Sequence, residues 1–350
     1  MVNDNFSQVT VLIPTYNRKK QLKLVLRGLE QQTNQNFKVI IVDNASQYNI
    51  RELIDSFEEN LRNRIELYIR PFNVGGSVNI LECFSLCKTK WAWMLSDDDI
   101  VKLDSIESIY YWIDQFPNCG CFNFSLCKMI GFEKKDYITM ETIDEFIDNY
   151  NNRYYYHGDL IFMSNKVYNM DVVPNYLIHA FKYVNSGLFM TIIYAKLLEN
   201  NIPFICVNKK IVEYNSESPR AWDATGIMLG TRMLDDVKYS FDDNKRKKIV
   251  KIQAFNISLI YELYFVCRGN KGNERLFFEK IYHGLYKNIL PVFSSLFLQL
   301  IALTTKFDVG YYFWRRFFCG WVEVRDEVIE KVKRSKYKEF MKKMVIKFGI

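Results

Sequence analysis

Four short apolar runs, each followed by a loop or a stretch with helical spacing, fill residues 9–100, and this alternation constrains the fold more than any other feature. Val9-Thr10-Val11-Leu12-Ile13 is a β-branched run that Pro14 is expected to end. Lys19 to Gln32 then carries Leu22, Val25, Leu26 and Leu29 at a helical period. Phe37 to Val42 predicts a second strand, and a helix bearing Ile50, Leu53, Ile54 and Phe57 follows. Ile65 to Ile69 is the third strand, and the loop Arg70 to Gly76 leads into a helix from Ser77 to Cys87. The fourth run is Trp91 to Leu95. Runs without polar interruption suit strands covered on both faces. Strands joined through helices build a parallel sheet with right-handed crossovers.

Each of these strands ends in polar residues. Asn17, Arg18, Asp43, Asn44, Asn73 and the triplet Asp97-Asp98-Asp99 would line one edge of the sheet, where open α/β sheets bind ligands. Three adjacent carboxylates repel one another unless a cation sits among them. Mg2+ and Mn2+ take one or two carboxylates and leave the remaining positions to substrate phosphates. An acidic cap for a helix starting near Ile100 would need only one of the three. The glycine fingerprint of dinucleotide folds and the phosphate-cradling GxxxxGK[ST] loop are both absent, which argues against nicotinamide and P-loop chemistry.

Hydrophobic content of 49% and charged content of 25% mark a globular chain, and a net charge of +7 is too small for a dedicated nucleic-acid binder. Eight cysteines occur with no CxxC pair and only three histidines, which argues against structural zinc and for reduced thiols in a cytoplasmic protein. The first residues carry no basic and apolar leader.

The set VTVLIPTYNR, IIVDNAS, NVGGSVN and WMLSDDDI, in this order, resembles the family 2 glycosyltransferases. Their GT-A fold is an α/β, Rossmann-like, mostly parallel sheet flanked by helices. The likeness covers residues 9–100. It implies a nucleotide-diphosphate sugar donor (a UDP-sugar favoured), Mn2+ or Mg2+, and transfer with inversion to a glycan or lipid-linked glycan. Its nearest relatives in kind build bacterial surface polysaccharides, O-antigen or capsule. By this resemblance Pro14, Thr15, Tyr16, Asn17 and Arg18 form the base and ribose pocket. Asp43, beside Asn44, accepts from the pyrimidine ring N–H, and Asn73, Gly75, Gly76 and Asn79 close over the diphosphate. The family's D-x-D-D-I pattern puts the metal on Asp98, the ribose on Asp97 and a supporting role on Asp99. Ser96 departs from that pattern at its first position and leaves Asp97 with Asp99 as an alternative D-x-D pair for the ion.

An inverting transfer also needs a base on the acceptor side. The resemblance implies a Glu-Asp pair downstream of a Gly-led strand. Gly158-Asp159-Leu160-Ile161-Phe162-Met163 is expected to be that strand, yet Asn185-Ser186-Gly187 stands where the pair would fall. Asp159, His179, Glu213 and Asp223 are then the candidate bases, with a turn and a packed histidine as the plainer readings of the first two. Glu213, Trp222 and Asp223 flank a polar loop expected to act as a lid on the acceptor side. Residues 133–157 read as an acceptor-side insertion in which Tyr150, Tyr154, Tyr155 and Tyr156 form a sugar platform or pack the insertion.

These patterns divide the chain into a catalytic domain over 1–240 and a helical extension over 241–350, with a nucleotide-sugar half at 1–100 and an acceptor half at 101–240. The extension is basic and aromatic. Asn288 to Thr305 is 18 residues without a charge, but its Pro, Ser and Gln argue against a spanning helix. Contact with an anionic membrane at its cytoplasmic face and a solvated basic bundle both suit it. Two rival functions stay open: a degenerate glycan-binding protein, because the acidic pair is missing, and a sugar nucleotidyltransferase. The latter would want a Gly-rich basic loop after the first strand.

Overall fold

The computed structural model of the chain describes residues 7–125, 135–152, 158–215, 230 and 233–256. It divides into two compact units, Met1–Ala221 and Trp222–Ile350. In the first unit, β1 (Val9–Thr15), β2 (Lys38–Asp43), β3 (Ile65–Ile69) and β4 (Trp91–Met94) lie parallel in the order β3-β2-β1-β4. The sheet continues through β8 (Lys166–Asn169), β6 (Cys121–Phe124), β9 (Phe204–Val207) and β7 (Tyr137–Met140). β8 runs antiparallel to both β4 and β6, so direction changes next to the strand that carries the acidic triplet.

Every residue of β1, β4, β6, β8 and β9 is buried, as the uninterrupted apolar runs require. Helices α1 (Lys19–Glu30) and α5 (Ser105–Gln115) supply Leu22, Val25, Leu26, Leu29, Ile106, Ile109 and Ile113 to one core with Trp91 and Trp93. Burying each such side chain stabilises the fold by about 1.5–3 kcal/mol. Helices α2 (Ile50–Asp55), α3 (Glu59–Arg62) and α4 (Gly76–Leu86) complete the first half of the sheet's cover. α6 (Ile143–Asn152), α7 (Gly158–Ile161), α8 (Pro174–Lys182) and α9 (Phe189–Glu199) follow. α9 is buried from Phe189 to Leu198, with Tyr194 stacked on Phe204 at 4.7 Å.

Three local expectations are corrected, and one open alternative is decided. β1 continues past Pro14 to Thr15, because its pairing with β4 ends at Leu12↔Met94 and Pro14, two residues on, meets no acceptor there. No helix starts at Ile100. Ile100–Val101 is a short strand, β5, antiparallel to β10 (Val212–Glu213), and α5 begins only at Ser105. The Gly-led segment at 158 is the helix α7 and not a strand. Tyr150 packs: it is buried with its ring 4.7 Å from Phe146, while Tyr154, Tyr155 and Tyr156 lie outside the described residues.

In the second unit, α10 (Asp243–Asn256) is capped by Asp242, whose Oδ1 accepts from the Lys245 N–H at 2.9 Å. Arg246 pairs with Asp235 and Asp243. Residues 257–350, with Asn288 to Thr305 and the basic tail, lie outside the described residues. Among the described residues no helix is long and apolar enough to cross a membrane.

Candidate active site

The carboxyl ends of β1, β2 and β4 bring Thr15, Asp43 and the segment Ser96–Asp99 to one edge of the sheet. Each aspartate of the triplet has its own hydroxyl donor from a different place in the chain. Thr15 Oγ1 donates to Asp97 Oδ2 at 2.7 Å, Ser96 Oγ to Asp98 Oδ1 at 2.6 Å, and Ser164 Oγ to Asp99 Oδ2 at 2.5 Å. The Arg18 guanidinium bridges Asp97, at 3.4 Å, and Asp98. Burial, followed by the Thr15 hydroxyl and Arg18 acting against it, leaves Asp97 raised to about 6. Burial raises Asp99 to about 7 although the Ser164 hydroxyl opposes the shift, and Asp98 adds to it. One guanidinium therefore bridges two of the three carboxylates, and among the described residues the third, Asp99, has no arginine beside it.

That charge imbalance suits a cation, but the three carboxylates do not converge on one point. Among the described residues no group of three acidic, His or Cys side chains could hold a metal ion. The Thr15 and Ser164 hydroxyls each take up one oxygen of the buried Asp97 and Asp99. Asp98 has the most open carboxylate, its side chain 19% exposed against 8% for Asp97. One carboxylate completed by substrate phosphates is an ordinary shell for Mg2+ or Mn2+, so in this reduced form the residues fit the ion.

The turns after β1 and β2 are locked together. Asn17 and Ala45 both adopt left-handed backbone, with φ of 55° and 66°. The Asn17 N–H donates to Ser46 Oγ at 2.8 Å, and Asn17 Oδ1 accepts from the Gln47 N–H at 2.7 Å. Asp43 is buried and accepts from the Ser46 N–H at 3.1 and 3.2 Å. Asn44 Nδ2 donates to Asn73 Oδ1 at 2.7 Å, and Asn44 Oδ1 accepts from the Val74 N–H at 2.9 Å, so β2 fixes the loop ahead of α4. Asn73 Oδ1 also accepts from the Gly75 N–H at 2.8 Å. Gly75, at φ 89°, makes the turn that starts α4 at Gly76. Asn79 turns inward instead of toward a ligand. It is buried, with Oδ1 taking the Arg70 Nε–H at 2.7 Å and Nδ2 donating to the Val42 carbonyl at 3.1 Å. Tyr16 is exposed at the same edge.

The acceptor-side candidates are less gathered. Asp159 belongs to α7, and its side chain lies outside what is described. His179, in the last turn of α8, is half-buried and lowered by that burial and by Lys196, with Glu199 and Lys182 as its other charged neighbours. Glu213 is exposed and paired with Lys102, which holds its carboxyl below the usual range. Trp222 and Asp223 lie outside the described residues. At Asn185-Ser186-Gly187 the chain makes a 3-10 turn closed by Gly187 at φ 66°, with Ser186 buried.

Three site residues escape a reading of the sequence: Tyr48, Ser164 and Asn215. Ser164 follows α7, accepts from the Ser96 N–H at 2.8 Å and takes the Trp93 Nε1–H on its carbonyl at 2.7 Å. The β5–β10 pairing delivers the Asn215 N–H to Asp99. A lone serine in a turn gives no sequence signal, and neither does a backbone amide beyond a two-residue strand.

Residues 10–175, which contain every element of this edge from β1 to Ser164, match the family described as Glycosyl transferase family 2. The match takes in just under half of the chain. A glycosyltransferase of Haemophilus influenzae is 28% identical to the chain over 132 residues, 37% of the chain and 43% of that protein. The abequosyltransferase RfbV of Salmonella typhimurium is 31% identical over 108 residues, 30% of the chain and 32% of that protein. The chain thus spans less than half the length of these curated relatives. The crystal structure of S. aureus TarS 1-349 in complex with UDP-GlcNAc shares the fold at a TM-score of 0.61 and 11% identity, covering 90% of this chain and 91% of that one. The fold accordingly has the GT-A architecture: a mixed, mostly parallel α/β sheet flanked by helices.

Proposed function

We propose that the chain transfers a sugar from a nucleotide-diphosphate donor, a UDP-sugar favoured, to a hydroxyl of a glycan or lipid-linked glycan in bacterial surface polysaccharide synthesis, with inversion. The observation that carries this reading is the acidic edge of β4. There Arg18 bridges Asp97 and Asp98, and Asp98 is the most exposed of the three carboxylates. Mn2+ or Mg2+ bound through Asp98 would stabilise the charge that builds on the departing diphosphate.

The chain's own residues do the rest. The locked turns after β1 and β2 hold Thr15, Tyr16, Asn17 and Asp43 for the nucleoside. The loop fixed by Asn44 and Asn73 presents the start of α4, an eleven-residue helix whose free N–H groups favour phosphate oxygens. Gly75 and Gly76 let that backbone come close, since a Cβ at either would meet no neighbour. Asp159 and the segment with Trp222 and Asp223 belong to the acceptor side in this reading. The basic and aromatic residues beyond 240 would hold the enzyme at the cytoplasmic face of the membrane, near a lipid-linked acceptor. The turn Pro14-Thr15-Tyr16-Asn17-Arg18 has no glycine, which disfavours a nucleotidyltransferase.

The test is a thermal-shift panel of UDP-, GDP-, dTDP- and CDP-sugars with and without Mn2+. A ligand that binds the folded state alone raises the melting temperature. One nucleotide class should stabilise the protein, more so with the ion. A flat response across the panel would reject the proposal.

A further inference from the structure

Arg18 is the N-cap of α1, and its carbonyl accepts from the Leu22 N–H at 2.9 Å. Its backbone is thereby fixed, while its long side chain crosses to the end of β4. There the guanidinium lies 3.4 Å from Asp97 and pairs with Asp98 Oδ2. The other oxygen of Asp98 accepts from Ser96 Oγ at 2.6 Å. Both oxygens of the most exposed carboxylate are therefore engaged, one of them by a full positive charge. An ion arriving at Asp98 meets that guanidinium, and two cations on one carboxylate repel each other.

The two aspartates depend on Arg18 to different degrees. Asp97 also takes the Thr15 hydroxyl at 2.7 Å and the Tyr16 N–H, so it stays hydrogen-bonded when the guanidinium leaves. The Arg18 and Asp98 side chains are 15% and 19% exposed, so small ions reach their pair from solvent. A guanidinium leaves one oxyanion more readily when another replaces it, and phosphate oxygens match its planar fork. Lys19, the next residue, is a different case. Its ammonium lies 5.9 Å from the ring centroid of Tyr48, whose hydroxyl stands beside Thr15 and Ser46. Among the described residues that ammonium pairs with no carboxylate.

Resting on the donor-sugar reading above, we propose that Arg18 is a built-in counter-cation that holds Asp98 until a divalent ion takes its place there. The incoming diphosphate then gives the guanidinium a new oxyanion, so ion and nucleotide strengthen each other's binding.

Titration of the full chain with Mn2+, followed by the paramagnetic resonance of the free ion, tests this for the wild type, Arg18→Met, Arg18→Gln and Lys19→Met. Each protein is titrated alone and with UDP, GDP, dTDP or CDP, and its melting is recorded. Without nucleotide, Arg18→Met should bind Mn2+ at least about tenfold more tightly than the wild type, the worth of one hydrogen bond between charged groups. Lys19→Met should stay within about twofold of the wild type, because screening weakens a charge that touches no carboxylate. The nucleotide that the wild type selects should tighten Mn2+ binding less in Arg18→Met, by at least about threefold. Arg18→Gln keeps a neutral donor for Asp98 and should fall between the two. It decides the matter if Arg18→Met melts below the assay temperature. Equal or weaker Mn2+ binding by the Arg18 variants overturns the inference. Equal tightening by Lys19→Met overturns it too, since that reports net charge alone, and so does an unchanged coupling to nucleotide. A wild type whose Mn2+ binding no nucleotide alters rejects the donor reading, and the exchange at Asp98 is then judged by the nucleotide-free titrations.

Discussion

Ser164→Ala removes one hydroxyl from a wholly buried position, and two hydrogen bonds go with it: the donation to Asp99 and the acceptance from the Ser96 N–H. A hydrogen bond to a charged carboxylate is worth about 1.5–3 kcal/mol, and an orphaned amide adds about 1 kcal/mol, so the loss should reach about 2.5–4 kcal/mol when Asp99 is ionised. Asp99 is raised from 3.8 to about 7 in the folded protein. The native state therefore holds a proton that the unfolded chain releases. The stability this brings is complete below about pH 4 and is lost as pH rises through about 7. Removing Ser164 Oγ takes away a group that opposes the shift, so the variant loses further stability at the alkaline end. Near pH 5 the carboxyl is protonated in both proteins, and the difference should shrink to about 1 kcal/mol. Urea unfolding with a chelator present, at about pH 5 and about pH 8, reads both values. An equal loss at the two pH values, or a loss under about 0.5 kcal/mol at the higher one, would refute the reasoning.

Gly75→Ala places a Cβ on backbone at φ 89° with no neighbour within 4 Å, so its cost is backbone strain alone, about 1–3 kcal/mol in urea unfolding. Gly28→Ala drives a Cβ to 2.9 Å from Val101 Cβ and should separate α1 from β5, lowering stability by about 1–3 kcal/mol and dragging the acidic edge with it, as Mn2+ titration would show. Because Asp97 and Asp99 sit at about 6 and about 7, binding of a divalent ion should expel protons. Mn2+ should then raise the melting temperature more at about pH 8 than at about pH 5.5, with proton release visible by calorimetry in buffers of different ionisation heat.

Much of the donor half can be read from the residues in order. β1 to β4 are uninterrupted apolar runs, and the polar residues that end them fall on one side because parallel strands put their carboxyl ends together. The pairing partners were harder to see. Nothing local says that Ile100 meets Glu213 or that Ser164 reaches Asp99, because both contacts join segments far apart in the chain and depend on β8 entering antiparallel beside β4. Gly158 to Met163 misleads for a different reason. A short apolar run suits a buried helix as well as a strand, and only packing decides between them. The same limit applies to Asp97, Asp98 and Asp99. Their spacing suggests three ligands for one ion, while the hydroxyls of Thr15, Ser96 and Ser164 give them separate tasks.

The most direct test follows the release of nucleoside diphosphate from a donor sugar by the full chain, beside Asp98→Ala and beside the wild type in chelator. With Mn2+ the wild type should turn over one nucleotide class, and each of the two perturbations should slow release by at least about 100-fold. Release that continues undiminished in the variant and in chelator would contradict the role assigned to the acidic edge.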